Sequence, residues 1–226
     1  MTYASIAFGV CPYVAIVVFI VGHVWRWKQD QFGWTSRTSQ LMEKRWLMIG
    51  SPLFHVGALL AVLGHAMGLL VPAWLTEKLG VSDHVYHLMA VTGGVLAGVL
   101  LLSGLAILLL RRFITKARLR VVTRRADIVM YIVLGLTAVL GFTGTLVNVF
   151  TAGHDYRSTV AIWFRSVFTL QPDVAAMAAS PWYFQAHAVC ACAVLAVWPF
   201  SRLVHVWSVP LGYLIRPRIV YHTSAE

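Results

Sequence analysis

The stretch PLFHVGALLAVLGHAMGLLV, Pro52–Val71, decides the fold. It contains no acid, lysine or arginine, and it has the roughly 20 residues that a helix needs to cross a hydrocarbon core. Two of its residues are nevertheless histidines. A polar side chain at membrane depth is costly and faces a partner inside the bundle, so His55 and His65 predict a chemically active inner face. Four more stretches are long and apolar enough to span: about Ala4–Trp25, Leu88–Leu110, Ile128–Phe150 and Trp182–Trp207. The last carries another two histidines, His187 and His205. With 59% hydrophobic residues, 12% charged and a mean hydropathy of +0.76, the chain reads as an all-α membrane protein. The expected architecture is one five-helix bundle over residues 1–226, with no linker dividing two cores.

The net charge of +10 is explained by its distribution and does not call for nucleic acid. Five basic residues lie between the first two spans (Arg26, Lys28, Arg37, Lys44, Arg45). Seven lie between the third and fourth (Arg111, Arg112, Lys116, Arg118, Arg120, Arg124, Arg125), and Arg202, Arg216 and Arg218 lie at the C-terminal end. In a five-span topology all of these share one side, against Lys78, Arg157 and Arg165 on the other. The positive-inside rule places the N-terminus outside and the C-terminus in the cytoplasm. The basic loops would meet anionic lipid headgroups or a cytoplasmic partner. The first span has no basic start or small-residue cleavage site and reads as a span, not a leader. Cys11, Cys190 and Cys192 form no metal or disulfide pattern and read as packing residues. No C-x-x-C-H occurs, which excludes the usual covalent haem attachment.

Helical phase separates packing from chemistry. At about 100° per residue, Gly57, Gly64 and Gly68 form one stripe that both histidines of the span avoid. That stripe predicts close approach of another helix, with Gly94 and Gly98 on the third span as the partner surface. Seven tryptophans (Trp25, Trp27, Trp34, Trp46, Trp74, Trp182, Trp207) stand near span ends, as interfacial belts do. Val160–Leu170 is too short to span, and reads either as a helix lying in the outer interface or as a cap over a pocket.

His55 and His65 are separated by a rise of about 15 Å, and His187 and His205 by about 27 Å on a continuous helix. Because the two helices run antiparallel, His55 and His205 share the cytoplasmic side, and His65 and His187 the outer side. Neutral imidazoles are axial ligands for haem iron, and two per iron make a six-coordinate electron-transfer centre. Two opposed pairs therefore point to two non-covalent haems at different depths. The unequal rises do not match on straight helices, so a kink at Pro199 is expected to absorb part of the difference. Arg202 either snorkels to the interface or pairs with a haem propionate; Arg111 and Arg112 are weaker propionate candidates. His23 has no opposite partner and reads as structural or interfacial, while His154 and His222 read as solvated. His84 and His87, at the outer start of the third span, are candidate proton acceptors in a quinol pocket.

The chain resembles the gamma subunit of respiratory nitrate reductase, a membrane cytochrome b subunit. The similarity is carried by PFSRLVHVWSVP (Pro199–Pro210) with Tyr213-Leu214, by SQLMEK (Ser39–Lys44), LFHVG (Leu53–Gly57), Gly64-His65 with Gly68, and Ala126-Asp-Ile128. It implies two b haems, the inner held by His55 and His205 and the outer by His65 and His187. It further implies oxidation of menaquinol or ubiquinol near the outer face, with electrons passing to a cytoplasmic iron–sulfur subunit and on to a molybdenum subunit that reduces nitrate. Members of that family can carry a lysine near the quinol pocket, where this chain reads Asp83-His-Val-Tyr-His87. A competing reading within electron transfer is a related quinone-linked cytochrome b of another oxidoreductase, such as one of sulfur metabolism. A transporter with histidine proton relays would require intramembrane carboxylates or broken helices, and the only acids near span ends are Asp127 and Glu77.

Overall fold

The computed structural model describes residues 2–36, 39–115, 119–120, 122–151 and 154–208. Arg37, Lys116, Arg118, Arg216, Arg218 and His222, used above, lie outside the described residues, as does the similarity at Pro210, Tyr213 and Leu214.

Eight helices are considered. The five spans are α1 (Ser5–Gln29), α2 (Arg45–Leu70), α4 (Asp83–Ile114), α5 (Arg125–Phe150) and α8 (Trp182–Phe200). Three short helices join them at one end: α3 (Ala73–Lys78), α6 (Val160–Phe168) and α7 (Val174–Ala178). No strand occurs among the described residues. The helices outrun the apolar stretches expected for them. α2 begins seven residues ahead of Pro52, and α4 begins at Asp83 with the Ser82 hydroxyl accepting from Val85 N–H. Hydropathy marks only the buried length of a helix, whereas hydrogen bonding continues until a cap or break.

The packing order is α1–α8–α5–α4–α2, with α2 lying most intimately on α4. A Cβ at Gly57 would sit 2.3 Å from Leu101 N, and one at Gly104 would sit 2.3 Å from Phe54 N. The two backbones are thus in direct contact through glycine. The expected pairing is corrected in part: Gly64 faces open space and Gly68 meets Tyr156. Gly94 and Gly98 face Thr145 and Phe142 of α5. Residues 98 and 104 differ by about 240° around a helix, so α4 uses Gly104 toward α2 and the earlier glycines toward α5. By contrast, α2 and α8 are not packed closely on each other; a gap separates them.

The fifth span departs most from expectation. It was read as continuous from Trp182 to Trp207, but α8 stops at Phe200. Ser201 is extended (φ −113°, ψ −174°), and a separate 3-10 strap, Arg202–Ser208, follows. Pro199 has no N–H for the helical ladder, so the ladder ends there instead of bending. At the opposite end α6 packs one face into the bundle. Trp163 and Val167 are buried with Phe8, Met177 and Ala188, while Phe168 and Leu170 are exposed. Trp163 Nε1–H donates to Phe8 O (2.8 Å), and Arg165 donates to Leu69 O at the end of α2 (3.0 Å).

Candidate functional site

The gap between α2 and α8 is bridged by imidazoles at two levels. The rings of His55 and His205 have centroids 6.0 Å apart, and those of His65 and His187 are 5.7 Å apart. The break at Ser201 resolves the unequal rises, because the strap sets His205 opposite His55 where a continuous helix would carry it past.

Each of the four rings is oriented by a backbone carbonyl. Nδ1–H donates to Ser51 O in His55 (2.7 Å), to Ala61 O in His65 (2.6 Å), to Thr137 O in His187 (2.9 Å) and to Arg202 O in His205 (2.6 Å). A carbonyl can only accept, so the proton is on Nδ1 and Nε2 keeps its lone pair. This is the second-shell arrangement that prepares an imidazole to bind metal. No described hydrogen bond occupies Nε2 in these four residues. His23 differs, since its Nε2 accepts from Trp207 Nε1–H at 3.0 Å, in keeping with the structural role read for it.

The spacing fits a metal-centred group held between the two imidazoles of each level: a metal–imidazole bond of about 2 Å on each side, with each ring centre about 1 Å beyond its nitrogen, would need about 6 Å between ring centres, and the centroids stand 6.0 and 5.7 Å apart. Among the described residues no group of three or more His, Cys, Asp and Glu gathers into a cage for a bare ion. Each level offers two imidazoles.

At the basic end the arginines are already engaged. Arg202 forks onto Asp127, Nε to Oδ1 at 2.7 Å and Nη2 to Oδ2 at 2.8 Å, an ion pair with good bidentate geometry. Arg111, 2% exposed, meets Glu43 Oε2 at 2.6 Å and Ser39 Oγ at 2.9 Å. Burial pushes the Glu43 carboxyl up, but Trp46 N–H and the Arg111 guanidinium outweigh it and hold it below the usual carboxylate range. Arg112 is buried beside Tyr131 and donates to Thr123 Oγ1. Among the described residues no carboxylate lies within ion-pair reach of it.

At the far end the sequence reading missed a cluster beside His65. Tyr156 packs on Gly68, one turn beyond His65, and on Phe184, one turn before His187. Its hydroxyl hydrogen-bonds to that of Tyr86 at 3.0 Å. Arg157 lies 4.2 Å over the Tyr86 ring and pairs with Asp83 at 2.9 Å. Burial, then the bond to Tyr86, pushes the Tyr156 phenol far up, so it stays protonated. His84 and His87 are exposed at the rim and make no hydrogen bond among the described residues. His154 is part-buried and bonded to Thr159 Oγ1 (2.7 Å), where solvation was expected. Tyr86 sits inside the stretch already noted for lacking a lysine; nothing local in the sequence tied it to Tyr156, 70 positions away.

Fold and site together define a multi-pass membrane protein with two facing histidine pairs at two levels, between α2 on one side and α8 with the strap that follows it on the other. The family described as nitrate reductase gamma subunit matches residues 4–224, and the chain belongs to it. It is 43% identical over 217 residues to the nitrate reductase gamma chain of Bacillus subtilis, covering 96% of this chain and 97% of that one. The respiratory nitrate reductase 1 gamma chain of Escherichia coli is 34% identical over 213 residues, 92% of each chain. An Hdr-like menaquinol oxidoreductase cytochrome b-like subunit of Archaeoglobus profundus is 29% identical over 175 residues, 75% of this chain and 50% of that one.

Proposed function

We propose that this chain is the quinol-oxidising, dihaem b subunit of a nitrate reductase complex. The carrying observation is the pair of facing imidazole sets, each ring with Nδ1–H on a backbone carbonyl and Nε2 left for a metal. His55 and His205 would hold the inner haem, and His65 and His187 the outer. When bound, the two groups supply one-electron transfer across the low-dielectric core. Of the three arginines considered for propionates, Arg112 fits best, since Arg202 and Arg111 already face carboxylates.

The concentration of basic residues at the His55 end supports a cytoplasmic orientation for it, and gives an acidic face of an iron–sulfur subunit a place to dock, with a molybdenum subunit beyond. Quinol would enter at the opposite end. There the Tyr156–Tyr86 phenol pair, packed at Gly68 one turn from His65, would offer neutral hydroxyls to the quinol oxygens, beside the exposed Asp83–Arg157 ion pair. His84 and His87 stand at the rim of this entrance and are proposed to accept protons there.

A quinone-linked cytochrome of another oxidoreductase is the second reading, supported by the Archaeoglobus relative; the higher identity and fuller coverage of the gamma chains favour the first. A reduced-minus-oxidised spectrum with a haem count per polypeptide tests the site: two b haems are expected, and none would refute it. His65→Ala and His187→Ala should each remove one haem and most quinol oxidation, and an unchanged two-haem spectrum in either would overturn the pairing. Molybdenum and iron–sulfur subunits that copurify would decide for nitrate chemistry.

A further inference from the structure

The carbonyls at the end of α8 lack helical N–H partners. Arg26, near the end of α1 and 7% exposed, supplies the donors. Its Nη1 reaches Pro199 O at 2.7 Å and Ser201 O at 2.9 Å, and its Nη2 reaches Gly33 O at 3.0 Å. The guanidinium also places positive charge at the negative end of the helix dipole. α1 comes this close because Gly22 packs on Pro199, where a Cβ would stand 2.7 Å from the proline ring.

Beyond the break, the strap is tied at further points. Arg202 forks onto Asp127 of α5 and also donates to Ser36 O, Trp207 donates to His23 of α1, and the Ser208 hydroxyl donates to Trp34 O. His205 lies between these ties. We infer that Arg26 is a positioning residue for the inner haem: by capping α8 from a neighbouring helix, it fixes the break at Ser201 that delivers His205 opposite His55. The inference rests on the haem reading of the site. Arg26 acts through the backbone of residues 199–201, and the outer pair, carried on α2 and the unbroken part of α8, does not depend on it. Its effect is therefore one-sided.

The test uses the membrane-bound complex with Arg26→Met and Arg26→Lys, read by haem count, low-temperature electron paramagnetic resonance and redox titration. The inner signal is the one absent from His205→Ala. Arg26→Met is expected to shift that signal or cut its amplitude by more than half while the outer signal keeps wild-type intensity. Arg26→Lys retains the charge and one nitrogen able to serve the two carbonyls but loses the separate Nη2 donor to Gly33 O, and should give a smaller shift of the same signal at normal accumulation. An unchanged inner signal in both variants would overturn the inference, and so would equal loss of both signals, which would make Arg26 a support of the whole fold. A wild-type protein without two bis-histidine b haems would instead overturn the reading beneath it.

Discussion

An alanine at Gly141 would set its methyl group 2.9 Å from Cε1 and 3.1 Å from Nδ1 of His187. Ordinary carbon contacts are about 3.5–4.0 Å, so the imidazole must retreat by roughly 0.5–1 Å. That retreat draws Nδ1–H off Thr137 O, now 2.9 Å away. Overpacking costs about 1–3 kcal/mol, and the lost hydrogen bond about 0.5–1.5 kcal/mol more. The better helix propensity of alanine returns up to about 1 kcal/mol. The balance with that full return, about 0.5–3.5 kcal/mol against the outer pair, corresponds to roughly 2–400-fold weaker haem retention, a range that contains second-shell losses elsewhere. Haem retention on dilution, followed in the reduced-minus-oxidised spectrum, measures this directly. Gly135→Ala is the control, because nothing lies within 4 Å of the added methyl, and it should behave as wild type. Gly141→Ala retaining the outer haem with wild-type affinity and signal would refute the reasoning.

Gly104→Ala would force a methyl into the Phe54 backbone, which cannot swing aside as a side chain can; a loss of about 1–3 kcal/mol or more is expected, seen as a lower Tm of the detergent-solubilised protein. Tyr156→Phe removes one hydroxyl from the entrance near His65 and should lower kcat/KM for quinol about tenfold, roughly one hydrogen bond, with both haems retained. Glu43 holds its carboxyl below the ordinary glutamate value of 4.5. A depressed carboxylate stabilises the fold above its unfolded value and loses that contribution as pH falls through its folded value. The wild type should therefore lose part of its stability below pH 4.5, a step that Glu43→Gln lacks because it is already destabilised at neutral pH. Thermal unfolding across pH checks both.

The helical bundle and the pairing of its histidines were legible because each rests on a short-range pattern. Apolar length gives the spans, and alternating direction sorts four histidines into two levels. What escaped the sequence depends on partners far along the chain. Pro199 reads as a kink unless Arg26, 173 positions earlier, is known to cap the carbonyls around it. Arg202 reads as a candidate for propionate until Asp127, 75 positions earlier, is found in its fork. Gly141 is one more glycine in an apolar helix until His187 is seen lying across it. The stripe of Gly57, Gly64 and Gly68 was correct in phase but not in purpose: only the first meets α4, since the gap facing α8 opens beyond it.

The carbonyls that orient the four imidazoles differ in where they come from. His55, His65 and His205 each bond a carbonyl three or four residues back in their own turn, so their tautomers are set as soon as that turn forms. His187 bonds Thr137, 50 positions away on α5. Three imidazoles thus have their tautomers set by secondary structure alone, and the fourth only by the docking of two spans. A spectrum of the outer level would therefore report whether α5 and α8 have met.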